Sequence, residues 1–178
     1  MYKGKTVTCV VPARMSSSRF PGKPLVKIHG RELVLRVADI AKEAKYVDSV
    51  IVATEDQVIK DLANDNGYLS IVTSSHYTCT HRVAEVAGSL VADHVFNLQG
   101  DEPLTNPKWI DDMIVYAIDN NIDVLQSSRK LEPDEIDDED VVKMILNNGV
   151  VTHMQRKCDV ICDNIVTQLG LYMYKKDV

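Results

Sequence analysis

The chain has 178 residues, 45% of them hydrophobic and 26% charged, which is enough for one good-sized domain and short for two. A net charge of −6 argues against a generic nucleic-acid binder, and no apolar run reaches the roughly 18–20 residues of a membrane span. Neither an apolar leader nor a disulfide-like density of cysteines is present. The four, at positions 9, 79, 158 and 162, fit a reducing cytoplasm and a chain that needs no membrane or nucleic acid.

In chain order, Thr6–Val11 is β-branched and apolar, the pattern of a buried central strand. Glu32–Lys45 carries Leu33, Val37, Ile40, Ala41 and Ala44 at helical spacing. Ser49–Ala53 predicts a second strand, Val58–Asn66 a short helix ending near Gly67, and Leu69–Thr73 a third strand. Thr80 is the expected cap of a helix whose inward positions are Val83, Val86, Ala87 and Leu90. Val95–Leu98 predicts a strand, Asn106–Pro107 a helix start, and Asp123–Ser127 a further strand. After residue 128, Val141–Leu146 and Val150–Met154 flank Asn147–Asn148–Gly149 as a hairpin, and Gln168–Tyr174 reads as a last strand.

This alternation predicts an α/β fold with a mostly parallel, Rossmann-like sheet covered by helices on both faces. We expect one domain over residues 1–178, with an α/β core at 1–128 and a smaller, incomplete β-rich sub-structure at 129–178. In such folds ligands bind beyond the carboxyl ends of the strands, the edge where two unusual loops should meet.

The first loop, Pro12–Leu25, sets Arg14, Arg19 and Lys23 among Ser16, Ser17 and Ser18, with Pro12 and Pro21 restricting the backbone and Gly22 freeing it. Planar guanidinium forks and a mobile ammonium match a chain of phosphates, although the P-loop pattern is absent. A solvated surface loop would carry the same charges, but not prolines on both sides of them. The second loop, Gln99–Pro103, ends a strand in Gly100, Asp101 and Glu102. Beside a triphosphate, Asp101 is the natural Mg²⁺ ligand and Glu102 an orienting or capping group. A third segment, Ser75–Arg82 continuing to Glu85, offers hydroxyls at a helix start and an Arg82–Glu85 pair at i, i+3. Ordinary capping explains it equally well. His153, Cys158 and Cys162 do not complete a zinc set, His94 and Cys9 read as structural, and no nucleophile elbow occurs. The chemistry left is positioning plus electrostatics, as suits transfer of a phosphoryl-type group.

Ser18–Arg19–Phe20–Pro21–Gly22–Lys23–Pro24–Leu25, together with Pro12–Ala13–Arg14, resembles the signature of the 3-deoxy-manno-octulosonate cytidylyltransferase (CMP-Kdo synthetase) family. Supporting similarities are Ile51–Thr54, the His76/Thr80/Arg82/Ala84/Glu85 block, Asn97/Gln99–Pro103, Val141–Lys143 and Leu169–Tyr172. The resemblance implies a cytoplasmic nucleotidyltransferase that joins CTP to an acidic sugar, releases pyrophosphate with Mg²⁺, and feeds lipopolysaccharide or capsule biosynthesis. It implies catalytic roles for Arg14, Lys23 and Asp101. Ala13, Arg14, Ser17, Arg19, Lys23, His76, Arg82 and Gln99 would surround the nucleotide; Gln99, Pro103 and Tyr172 would face the sugar; Asp101 would hold the metal.

The chain departs from the family pattern at Cys79, where the family has Gly, at His81, where it has an acid, and at Gln168, where it has His. His153–Arg156 matches the family's Y-F-S-R segment poorly. The resemblance also implies a longer chain, whose continuation carries a second metal-ligating Asp and the homodimer surface. This sequence is then part of a longer enzyme or a shortened paralogue. Two alternatives stay open: a same-fold cytidylyltransferase for another acceptor (a modified sugar acid or phosphonate), and a catalytically impaired nucleotide-binding relative.

Overall fold

The computed structural model describes residues 1–16, 20–158 and 162–178. The chain forms two compact units, Met1–Leu125 with Gly170–Val178, and Gln126–Leu169.

The first unit contains strands β1 (Val7–Ala13), β2 (Lys27–Ile28) and β3 (Arg31–Glu32), helix α1 (Leu33–Glu43), β4 (Ser49–Thr54), α2 (Gln57–Asp65), β5 (Leu69–Val72), α3 (Cys79–Ser89), β6 (His94–Leu98) and α4 (Pro107–Asp119). β7 (Val124–Lys130) starts here and continues into the second unit, where β8 (Lys143–Asn147) and β9 (Val150–Gln155) follow; β10 (Ile165–Lys175) runs back into the first. β1 pairs in parallel with β4 and β6, β4 in parallel with β5, and the end of β10 antiparallel with β6, giving the order β5-β4-β1-β6-β10.

Every residue of β1 is buried, as its apolar run predicts. Alternation along the strands sends Val10, Ile51, Ala53 and Val95 to one face, where Val83 and Val86 of α3 cover them. The alternate residues Val7, Cys9, Val11, Val52, Phe96 and Leu98 are also buried, and α1 packs on β1 and β4. Both faces are therefore covered, each fully buried aliphatic or aromatic side chain contributing about 1.5–3 kcal/mol. Burial alone pushes the Cys9 thiol up to about 12, the behaviour of a small core residue.

Local signals explain the element ends. The Asn106 side chain accepts from the Lys108 amide at 2.9 Å, and Pro107 opens α4. α2 stops before Gly67, whose φ of +77° suits the turn. The expected cap of α3 is corrected: Thr78, not Thr80, accepts from the His81 amide at 3.3 Å, and Thr80 lies inside the helix.

The boundary also differs from the expected division at residue 128. Gly170–Val178 returns to the first unit, because Leu171–Lys175 pair with β6. In the second unit, β8 and β9 form the expected hairpin over Asn148 (φ +50°) and Gly149 (φ +80°). The fully buried Lys143 donates to the carbonyls of Asp138 and Arg156, and Arg156 Nη1 donates to those of Glu139 and Asp140 at 3.1 Å. The acid-rich segment is thus gripped by its backbone, leaving most of its carboxylates in solvent.

At the amino ends of β1 and β6, Asp93 accepts from the Thr6 amide and hydroxyl at 2.9 Å each and from Lys5 Nζ at 3.0 Å. The Thr6 amide first, then Lys5 and the Thr6 hydroxyl, hold its carboxyl far below the usual range. A depressed pKa contributes stability that is present above the ordinary carboxylate value and lost as pH falls toward the folded one. Asp93→Ala is expected to cost about 1–3 kcal/mol at pH 7. Thermal melts of the variant and the unsubstituted protein should converge as pH drops below 4; a gap independent of pH contradicts the assignment.

Immediately after β6, a Cβ on Gly100 would lie 2.6 Å from the Pro12 carbonyl oxygen. Backbone cannot swing aside as a flexible side chain can, so Gly100→Ala should destabilise by about 1–3 kcal/mol, read by urea denaturation. An unchanged midpoint removes the claim of close approach.

Candidate active site

Because β1 and β6 are parallel neighbours, with Val10 opposite Asn97, the loops leaving them start from one edge. The first loop begins at Arg14, since β1 runs on through Pro12 and Ala13. It is held at both ends: the Met15 amide donates to Asp56 Oδ2 at 2.8 Å, and the Gly22 amide to the Met15 carbonyl at 3.0 Å. Gly22, at φ +74°, turns the chain into a 3-10 turn at Lys23–Leu25 with Pro24 buried. Backbone bonds thus fix the described ends of the loop, at Met15 and at Gly22–Val26.

Lys23 Nζ donates to Asp101 Oδ2 at 2.7 Å, joining the first loop to the second. Arg14 Nη1 donates to the His76 carbonyl at 3.5 Å. In the second loop, the Gln99 amide donates to the Gly170 carbonyl at 2.9 Å and the Gly170 amide returns a bond to Glu102 Oε1 at 3.0 Å. Glu102 thus clamps the Gly170 amide; burial, more than the nearby Asp101 charge, pushes its carboxyl up. Pro103 follows in the same turn, half-buried, and Ala13 is buried at the end of β1.

Gln99 Nε2 donates to the Tyr172 hydroxyl at 3.1 Å, and Tyr172 stacks on Tyr174 with ring centres 6.2 Å apart. Burial raises the Tyr172 phenol to about 12, which keeps it a neutral hydrogen-bonding group. Cys79, at the start of α3, is half-buried, and burial is the main cause that raises its thiol. The Asp101 charge adds to that effect, while Arg14 and Arg82 oppose it. The thiol therefore feels both the cationic and the acidic loop.

The Ser75–Glu85 segment differs from its expectation. Arg82 is only 2% exposed, donates to Thr73 Oγ1, and stands 3.5 Å from Glu55 Oε1. It does not pair with Glu85. Glu85 accepts instead from the Ser74 amide at 3.1 Å and bonds His76 Nε2, which is the main cause of its lowered pKa. Arg82 thereby braces β5 against α3, and His76 is oriented by Glu85. His76 and His81 rings stack at 6.4 Å, and His81 Nδ1 meets Thr78 Oγ1 at 2.8 Å. Ser17 and Arg19 lie outside the described residues.

Sequence reading named Thr54 only as a strand residue and missed Glu55 and Asp56. Thr54 Oγ1 accepts from the Asp56 amide at 3.1 Å, and Asp56 anchors the cationic loop. An acidic pair directly after a strand ending on this edge was the available signal. Among the described residues no group of three or more His, Cys, Asp or Glu side chains is placed to hold a metal, and the four free cysteines form no such set.

The cytidylyltransferase family model matches residues 8–164. A 3-deoxy-manno-octulosonate cytidylyltransferase of Anaeromyxobacter sp. (strain Fw109-5) is 41% identical over 143 residues, 79% of this chain and 58% of that protein. One of Solibacter usitatus (strain Ellin6076) is 34% identical over 179 residues, covering 94% of this chain and 71% of that protein. The chain thus spans little more than half the length of the Anaeromyxobacter relative. Among solved structures, CMP:2-keto-3-deoxy-manno-octonic acid synthetase complexed with CTP aligns with TM-score 0.88 and 29% identity, over 97% of this chain and 75% of that one. A 4-diphosphocytidyl-2C-methyl-D-erythritol synthase from Anaerococcus prevotii DSM 20548 aligns with TM-score 0.66 and 18% identity, over 98% and 71% of the two chains, which speaks to the fold alone. With the family model spanning most of its length and the motif-bearing loops meeting at one sheet edge, the chain belongs to the cytidylyltransferase family.

Proposed function

We propose that this chain is the nucleotide-binding part of an enzyme that transfers CMP from CTP to an acidic sugar such as 3-deoxy-manno-octulosonate, with release of pyrophosphate. The observation that carries the reading is the Lys23–Asp101 contact of 2.7 Å, which joins a cationic and an acidic loop at the carboxyl ends of β1 and β6. The names of the relatives supply the nucleotide and the sugar class. Homodimer assembly belongs to the same proposal.

Arg14 and Lys23 would bind the triphosphate and offset the negative charge that grows on the leaving pyrophosphate. An oxygen of the sugar attacks the α-phosphorus in line; its new bond to phosphorus forms as the bond to the pyrophosphate bridging oxygen breaks, and its proton passes to solvent. Gln99 and Tyr172, hydrogen-bonded to each other, would form a wall facing the acceptor.

Mg²⁺ fits the donor set, because Asp101 is a hard oxygen ligand, its side chain is 41% exposed, and it already accepts a cation, the Lys23 ammonium. Asp101 would hold the ion together with nucleotide phosphates and water, the usual arrangement for this metal. When bound, Mg²⁺ supplies further charge stabilisation to the phosphates.

Asp101→Asn should lower Mg²⁺-dependent pyrophosphate release at least about 100-fold; turnover at an unchanged rate contradicts the metal assignment. Lys23→Ala should weaken CTP binding, measured by calorimetry, about 10- to 100-fold. Its melting temperature should stay nearly constant, because a part-exposed ion pair adds little to stability. Loss of fold with unchanged CTP affinity in the folded fraction contradicts the role.

A specific observation favours a second acceptor class. Cys79 opens α3 as a half-buried residue, placing bulk where the related motif has only Gly. A panel of sugar acids and phosphonates in the pyrophosphate-release assay separates the two; preference for an acceptor other than 3-deoxy-manno-octulosonate supports the second.

A further inference from the structure

The acidic turn after β6 holds two carboxylates with different commitments. Glu102 is engaged by the Gly170 amide. Asp101 is more open, and its recorded partner is an ammonium from the facing loop, with side-chain exposures of 35% for Lys23 and 41% for Asp101. A pair so exposed to water opens at little cost. The Lys23 backbone is fixed independently, its amide donating to the Phe20 carbonyl at 3.2 Å and its carbonyl accepting from Val26 at 3.2 Å. Only the flexible side chain has to move for Asp101 to be released.

We propose that Lys23 is an internal counter-ion that occupies Asp101 until a nucleotide triphosphate draws the ammonium away, so that nucleotide binding precedes metal capture at Asp101. The proposal rests on the cytidylyltransferase reading and adds an order of events to it. With the ammonium 2.7 Å from Oδ2, an approaching divalent cation meets both a neutralised carboxylate and a like charge. A triphosphate carries several negative charges and many acceptor oxygens, so it outcompetes a single carboxylate for the ammonium. Once Lys23 has turned to the phosphates, Asp101 faces the same phosphates with its charge restored. The switch makes Lys23 a positioning residue for the metal as well as a ligand of the nucleotide. It also leaves a nucleotide-free chain with low affinity for divalent ions at this carboxylate.

The test is titration of Mn²⁺ alone, followed by the electron paramagnetic resonance signal of the free ion, on the purified chain without nucleotide. Lys23→Met and Lys23→Gln, two unbranched replacements one atom shorter that remove the charge, should bind Mn²⁺ about tenfold more tightly than the unsubstituted protein, a change of ~1.4 kcal/mol. The double variant Lys23→Met/Asp101→Asn should lose that gain. Equal Mn²⁺ affinity in all three single-sequence forms overturns the proposal, as does a gain that survives removal of Asp101, or Lys23 variants that bind no Mn²⁺. Calorimetry with CTP in EDTA runs alongside and should detect metal-free CTP binding to the unsubstituted protein. Its absence overturns the nucleotide-first order through failure of the functional reading, a result the Mn²⁺ comparison keeps distinct.

Discussion

The parallel pairing of β1 with β6 is the constraint on which the site depends. It sets two chemically opposite loops side by side, and no residue between Arg14 and Asp101 in sequence could do so by local structure. The approach is close enough that a Cβ on Gly100 would meet the Pro12 carbonyl oxygen at 2.6 Å. From that spacing follow the Lys23–Asp101 contact, the return of β10 to clamp Glu102, and the placement of Tyr172 beside Gln99. The sheet therefore acts first as a ruler, and the loops add chemistry at the distance it fixes.

A net charge of −6 accompanies the proposed triphosphate site, and several carboxylates are held in place by backbone amides. Asp48 takes the Val7 amide, Asp93 that of Thr6, Asp56 that of Met15, and Asp111 those of Lys45 and Tyr46. These bonds tie strand ends and loops together, and Asp48 and Asp93 lie at the amino ends of β1 and β6, opposite the end from which the two site loops leave. The cationic loop leaves the carboxyl end of β1, with Asp56 holding the Met15 amide at its start.

Strand and helix order was legible because hydrophobic periodicity and caps act over a few residues: the Asn106 cap and the Asn148–Gly149 hairpin appear where the local pattern puts them. The α3 cap moved from Thr80 to Thr78, since several hydroxyls in a row offer the same local signal and only packing selects among them. The return of the last nine residues to the first unit was not legible, because strand pairing across so long a separation leaves no mark in a single sequence. At the site, Lys23 and Asp101 could be singled out from loop chemistry, yet Arg82 looked like a ligand group and is buried as a brace. Helical spacing made Glu85 its obvious partner; tertiary structure gave Arg82 to Glu55 and Glu85 to His76. Charge type is visible in sequence, whereas burial and partner choice are properties of the assembled sheet.

A crystal of the chain grown with CTP and Mn²⁺, read by anomalous scattering from the metal, decides whether the two loops form one metal and nucleotide site. The expected result is a manganese peak at the Asp101 carboxylate beside the bound nucleotide, with the Lys23 ammonium turned onto the triphosphate. A nucleotide bound away from this edge, or a metal remote from Asp101 with the Lys23–Asp101 contact intact, rules that site out.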